Sequence, residues 1–191
     1  MTAEQQTGAA TAPQTGTSTW TLDPAHTLVE FAGRHMMVTT VKGRFKGVRG
    51  TITIDEADPE RSSVEAELDA ASLDTGNEQR DAHLKSPDFL DVERYPTITF
   101  RSTRVEPQGN ERARVTGALT VHGVTREVAL EAELTGFGRN PWGKEVAGFE
   151  ARTTLNRKDF GLTWNVALET GGVLVSDTLK IEINAEAIKQ E

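Results

Sequence analysis

The stretch Arg112-Ala113-Arg114-Val115-Thr116-Gly117-Ala118-Leu119-Thr120-Val121-His122-Gly123-Val124 decides the fold class of this chain. Ala113, Val115, Gly117, Leu119 and Val121 alternate with Arg112, Arg114, Thr116, Ala118 and Thr120, and a strict period of two sends successive side chains to opposite faces of a strand. His122-Gly123 then reads as a two-residue hairpin turn, Gly123 supplying a positive φ and His122 tolerating one. Beyond it Val128, Leu130, Ala132 and Leu134 alternate with Glu127, Ala129, Glu131 and Glu133. Strands joined so tightly, each apolar on one face, belong to an antiparallel sheet with one wet side.

The same period recurs in both directions along the chain. Thr27, Val29 and Phe31 alternate with Leu28, Glu30 and Ala32; Ile52 and Ile54 alternate with threonines; Val64, Ala66, Leu68 and Ala70 alternate with Ser63, Glu65, Glu67 and Asp69. Ile98 and Phe100 open a further strand, Ala147, Phe149, Ala151 and Leu155 mark another, and Leu179, Ile181, Ile183 and Ala185 close the series. These eight segments, without helical crossovers, predict an all-β sandwich or closed barrel. Eight is also the strand number at which a barrel interior just fills or holds one small ligand. The inward positions are mostly Val, Ile, Leu, Ala and Gly, which favours a cavity.

One segment departs from this period. Arg80-Asp81-Ala82-His83-Leu84-Lys85-Ser86-Pro87-Asp88-Phe89-Leu90-Asp91 reads as a short helical insertion between the third and fourth strands. Thr75 and Glu78 have capping-box spacing, and Pro87 stops the helix. Pro107-Gln108-Gly109-Asn110 and Gly138-Arg139-Asn140-Pro141-Trp142-Gly143 read as turns.

Composition narrows the function classes. The 191 residues, 36% of them apolar, build one domain. A net charge of −8 argues against nucleic acid and against docking on anionic lipid through a basic patch. No cysteine means no disulfide and no thiolate site. Residues 1–19 lack the basic start and apolar run of a secretory signal, so they read as a disordered leader before a domain spanning 20–191. No apolar run is long enough for a transmembrane helix, and the expected location is cytoplasmic. His26, His35, His83 and His122 show no metal-ligand spacing, and no nucleophile elbow, phosphate loop or dinucleotide fingerprint occurs. No metal, no cofactor and no catalytic residue are therefore expected, and the chain reads as a container rather than an enzyme.

Two loop-like stretches are richer in apolar residues than loops should be. Arg34-His35-Met36-Met37-Val38-Thr39-Thr40-Val41-Lys42-Gly43-Arg44-Phe45 carries a double methionine. Asn156-Arg157-Lys158-Asp159-Phe160-Gly161-Leu162-Thr163-Trp164 carries Phe, Leu and Trp. They read either as plugs at one end of a barrel or as the mouth of an apolar tunnel, with Arg34, Arg157 and Asp159 as its few polar groups.

With these segments quoted, the chain resembles the YceI-like family, bacterial polyisoprenoid-binding β-barrels. The resemblance runs from about Trp20 to Ala187. Asp23-Pro24-Ala25-His26-Thr27, Arg34-His35, Gly43-Arg44-Phe45 and Asn77 with Arg80-Asp81, His83-Leu84 and Phe89 carry it. So do Tyr95-Pro96-Thr97-Ile98-Thr99-Phe100, Gly117-Ala118-Leu119-Thr120-Val121-His122-Gly123-Val124-Thr125, Asn156 to Leu162 and Val175-Ser176-Asp177.

The resemblance implies an extended, eight-stranded, lipocalin-like antiparallel β-barrel that holds a long isoprenoid chain non-covalently, often as a homodimer. The ligand would be a quinone, polyprenol or carotenoid precursor, and the protein its carrier or reservoir. The expected wall residues are Phe31, Met36, Met37, Val41, Phe45, Leu84, Phe89, Phe100, Leu119, Phe149, Leu155, Phe160, Leu162 and Trp164. Arg34, His35, Arg157 and Asp159 would meet the head group at the mouth. Two alternatives stay open: an enzyme acting on an isoprenoid in the pocket, and a stress-linked barrel with a filled core.

Overall fold

The computed structural model describes residues 16–191. Its strands are β1 (Thr17–Leu22), β2 (Leu28–His35), β3 (Thr39–Phe45), β4 (Val48–Asp55), β5 (Ser63–Asp69), β6 (Thr97–Pro107), β7 (Arg112–Val121), β8 (Val124–Arg139), β9 (Glu145–Asn156) and β10 (Thr178–Lys189). These ten segments make an eight-stranded closed antiparallel barrel. β1 and β2 both lie along β10, with Leu22 opposite Ala187 and Leu28 opposite Asn184, so they are halves of one interrupted strand. β4 and β3 follow them in turn, β4 beside β1 and β3 beside β2. From β4 the order runs through β5 to β10, and β10 pairs with β1 to close the ring.

Three expectations about the elements are corrected. Residues 17–19, assigned above to a leader, are strand, whereas residues 1–15 lie outside the described residues. β1 offers only Trp20 and Leu22 as inward apolar residues, so its period is faint; both are buried. Second, the stretch from Arg34 to Phe45 is a β-hairpin, not a loop. In β3 the inward alternation Val41-Gly43-Phe45 is hidden by Gly43, where a side chain has no room: a Cβ would lie 2.3 Å from Phe31 Cζ. Third, the helix α1 (Glu78–Lys85) is capped by Asn77, whose side chain accepts from the Arg80 amide, and not by Thr75.

Gly43 and Gly117 explain why the barrel stays open inside. Phe31 leans over Gly43 on the paired strand, and Phe100 leans over Gly117, where a Cβ would sit 2.6 Å from the ring. Two large rings thus lie against the wall instead of filling the lumen. The buried residues Trp20, Leu22, Val48, Leu73 and Phe160 belong to one continuous apolar cluster.

Strand direction sorts the connections between two ends. One end gathers α1, the turn at residues 36–38, the His122-Gly123 turn and the long connection from β9 to β10. His122 and Gly123 both have positive φ, 52° and 71°, as the sequence predicts for this hairpin. The other end carries the turns after β4, β6 and β8. No helix among the described residues is long and apolar enough to cross a membrane.

Candidate functional site

The barrel encloses a cavity of about 1190 Å³. Its wall is the inward set of the alternating strands: Val115, Leu119, Val128, Leu130, Ile181 and Ile183 all face it, with the other predicted inward positions of β7, β8 and β10 beside them except Gly117, which the Phe100 ring covers. A barrel with a filled core would have no such space, so that alternative is not what the fold displays.

Most of the expected wall residues meet here. Phe31, Val41 and Phe45 come from the β2–β3 hairpin, Phe100 and Leu119 from the paired strands β6 and β7, and Phe149 and Leu155 from β9. Leu84 and Phe89 reach the cavity from α1 and the turn after it, and Phe160, Leu162 and Trp164 from the β9–β10 connection. Met36 and Met37 do not line it: they sit in an exposed turn, because the hairpin continues past the barrel rim before it reverses.

The end with α1 is built from aromatic contacts and from one buried cation. His83 of α1 meets the Trp164 ring edge-on at 4.6 Å and the Phe89 ring at 5.2 Å, while its Nε2 lies 2.8 Å from Asp88 Oδ2. These rings tie the helix to the β9–β10 connection across the end of the cavity. Asp81 holds α1 from the other side, accepting from the Thr75 amide and hydroxyl, and Arg80 donates to the Thr75 hydroxyl and carbonyl. Arg80 and Asp81 thus tie the helix down, and their anchor is Thr75.

Arg157 is only 3% exposed. Its Nε donates to the Ser176 carbonyl at 2.9 Å, and its Nη1 to those of Leu162 at 2.6 Å and Trp164 at 2.9 Å. Burial pushes the guanidinium down from its ordinary value, while the Asp177 carboxylate, 3.6 Å away, opposes that shift. The guanidinium borders the cavity, but its donors are occupied in folding the connection around it. Asp159 is exposed and off the lining; the carboxylate beside Arg157 is Asp177, which also binds Lys158 at 3.0 Å. Separation in sequence hid that partner.

Polar side chains border the cavity at this end, as Ser62, Asn110, Glu111 and Arg112 do at the other. Arg34 and His35 border the cavity as predicted, and Asn77, Gln79, Arg80 and His83 of the α1 region join them. Sequence reasoning left those four out of the site, although Asn77, Arg80 and His83 stood among the family-like residues. Arg34 Nη2 donates to the Met37 and Val38 carbonyls at 3.0 and 3.3 Å. Asp23, His26 and Asp74 lie off the cavity lining. His26 Nδ1 lies 2.8 Å from Asp23 Oδ2, which lowers the Asp23 pKa and raises that of His26. Glu186 Oε1 stands 3.9 Å from the same nitrogen, so these three side chains could share a cation at the break between β1 and β2. Asp74 is lowered to about 2, first by the hydrogen bond from Lys46 and then by that from the Gly76 amide.

The profile of the YceI-like domain matches residues 20–187. A UPF0312 protein of Pseudomonas putida strain GB-1 is 42% identical over 166 residues, covering 87% of this chain and 83% of that protein. The chain belongs to the YceI-like family. A YceI-like protein of Campylobacter jejuni superposes with a TM-score of 0.71 at 33% identity, over 83% of this chain and 90% of that one. A polyisoprenoid-binding domain of Saccharophagus degradans, implicated in plant cell wall breakdown, shares the fold at a TM-score of 0.64 and 15% identity, over 90% and 98% of the two chains. The YceI-like barrel and its cavity are thus what the quoted motifs implied.

Proposed function

We propose that this YceI-like barrel binds the apolar tail of a long-chain polyisoprenoid, a quinone, polyprenol or carotenoid precursor, and serves as its carrier or reservoir. The observation that carries the reading is the cavity of about 1190 Å³ walled by aliphatic and aromatic side chains. At roughly 0.8 kcal/mol per buried methylene, such a wall holds a long tail with no polar contact along its length. β7, with ten residues at about 3.3 Å each, spans roughly 30 Å, which accommodates an extended chain of several isoprene units. Support also comes from the Saccharophagus degradans domain of the same fold, which is a polyisoprenoid-binding protein.

Polar groups border the space at both ends: Arg34, His35, Arg80 and His83 at the α1 end, and Ser62, Asn110, Glu111 and Arg112 at the other. The four at the α1 end carry the cations beside the aromatic cap. In this reading the tail enters the barrel and the head group rests among those four, because a charge carried deeper would be left unpaired in apolar surroundings. The reading is of binding without chemical change, and the ligand is held non-covalently. Native mass spectrometry of the protein as purified tests it. A non-covalent adduct that extracts into organic solvent as a polyprenyl compound supports the reading; an adduct of straight-chain fatty acid, or a mass equal to the polypeptide alone after purification from a polyprenol-rich host, contradicts it.

A further inference from the structure

The reversal between β2 and β3 is built against backbone preference. Val38 N donates to the His35 carbonyl at 3.0 Å, and the central residues Met36 and Met37 have φ of 52° and 59°. Two left-handed residues make the hairpin turn that Asn-Gly adopts without strain, yet both positions here are methionine. Burial does not compensate them: Met36, Met37 and Val38 are 44%, 53% and 72% exposed. The neighbouring β9–β10 connection, bound to this turn through Met36 N and the Leu174 carbonyl, adds a 46% exposed Val166. Arg34 clamps the tip from behind through the Met37 and Val38 carbonyls.

The hairpin that carries this tip is opposite in charge to the chain. Residues 31–54 hold Arg34, Lys42, Arg44, Lys46 and Arg49 and no carboxylate, within a protein of net charge −8. Asp74 pairs with Arg44 and Lys46, and Glu67 with Arg49. Lys42 and Lys180 are exposed and flank Ala32 in one row across β3, β2 and β10, on the outer face of the barrel. Among the described residues neither lysine has a carboxylate partner. The row lies four residues below Val38, roughly 13 Å along the strand. An apolar tip followed by a cationic row matches the order of acyl chains and anionic head groups in a bilayer. Among the described residues, the carboxylates at this end without an ion-pair partner include Asp159 and Glu169 on the companion connection and Glu78 of α1, while Glu30 and Glu182 stand in the next outer row, farther from the tip.

We propose that the Met36-Met37-Val38 turn is a membrane-docking tip that seats the α1 end of the cavity on an anionic bilayer. This rests on the polyisoprenoid reading, since a long isoprenoid outside a protein partitions into a bilayer. The net charge of −8 argues against a basic patch only as an average over the chain, whereas docking responds to the local potential within about a Debye length.

Flotation with ligand-free vesicles tests the proposal, comparing phosphatidylcholine alone with phosphatidylcholine mixed with phosphatidylglycerol. The full chain should float with the mixed vesicles. Met36→Asn with Met37→Gly should weaken that binding by roughly tenfold or more, with Tm unchanged or higher because the turn is relaxed. Lys42→Gln and Lys180→Gln should each lower binding to the mixed vesicles roughly fivefold and leave neutral vesicles unaffected. Trp142→Ser, at the opposite end of the barrel and 82% exposed, should change nothing. Absence of flotation, loss through Trp142→Ser alone, or self-association abolished by the methionine changes without any flotation would each overturn it. Prenol binding in solution separates the two readings: it should survive in the methionine double variant, and its absence from a chain that still floats would overturn the polyisoprenoid reading while leaving the docking tip standing.

Discussion

The barrel wall of β6 to β9 and the end cap formed by α1 with residues 157–177 meet at the same cavity but are held by different forces. The wall is periodic: inward apolar residues face the cavity, outward ones pair across strands, as Arg114 does with Glu131 and Arg112 with Glu133. Each wall contact is local in the ladder and repeated many times. The cap has little regular structure, and single groups organise it: Arg157 gathers four carbonyls from Leu162, Trp164, Val175 and Ser176, and the His83, Phe89 and Trp164 rings meet in one contact. The wall is therefore redundant and the cap is not, so losing one residue should have different consequences in the two regions.

The largest effect should come from a charge in the wall. Phe100→Asp replaces a buried ring by an unpaired carboxylate in the cavity and should cost about 4 kcal/mol of stability and abolish prenol binding. Glu131→Gln on the outer face of β8 should stay within about 0.5 kcal/mol, since an exposed pair contributes little. Denaturant unfolding of both variants checks the facing assignment; equal effects would overturn it.

Arg157→Met should come next, with a cost of about 3 kcal/mol, because it leaves buried carbonyls without donors. The β-sheet signal in circular dichroism should persist while Trp164 fluorescence shifts to that of a wetter indole and proteolysis begins within 157–177. Collapse of the whole barrel in native buffer would mean that the cap and wall are one cooperative unit.

The smallest effect concerns the acid end of the pH scale. Asp74 joins the segment before α1 to β3 through Lys46 at 3.0 Å and through backbone bonds with Arg44. A carboxylate lowered from 3.8 to about 2 contributes stability that is complete above pH 4 and lost as pH falls towards 2. The Tm of Asp74→Asn should thus lie slightly below that of the natural chain at neutral pH and converge with it near pH 2. Divergence on acidification would contradict the assigned role.

The difference between wall and cap also governs what could be read from sequence. Alternation identified the inward sets of β7, β8 and β10, because every second residue repeats the same information. It failed at β3, where Gly43 makes room for Phe31, and at β1, where only Trp20 and Leu22 carry the signal. Cap residues were legible as types but not as partners. Phe160, Leu162 and Trp164 were found as apolar loop residues, whereas the pairing of Arg157 with Asp177 rather than Asp159 depends on chain closure over 20 positions. Met36 and Met37 were misplaced for a related reason: apolarity indicates an apolar environment, and only the length of the hairpin tells whether that environment is the cavity or lies outside the barrel.

A titration with prenols of increasing length, followed by Trp164 fluorescence, tests the cavity account most directly. Each added isoprene unit should tighten binding by about tenfold or more until the cavity is full, after which affinity levels off, and changing the head group should matter less than changing the tail. Affinity that ignores tail length but follows the head group would contradict it.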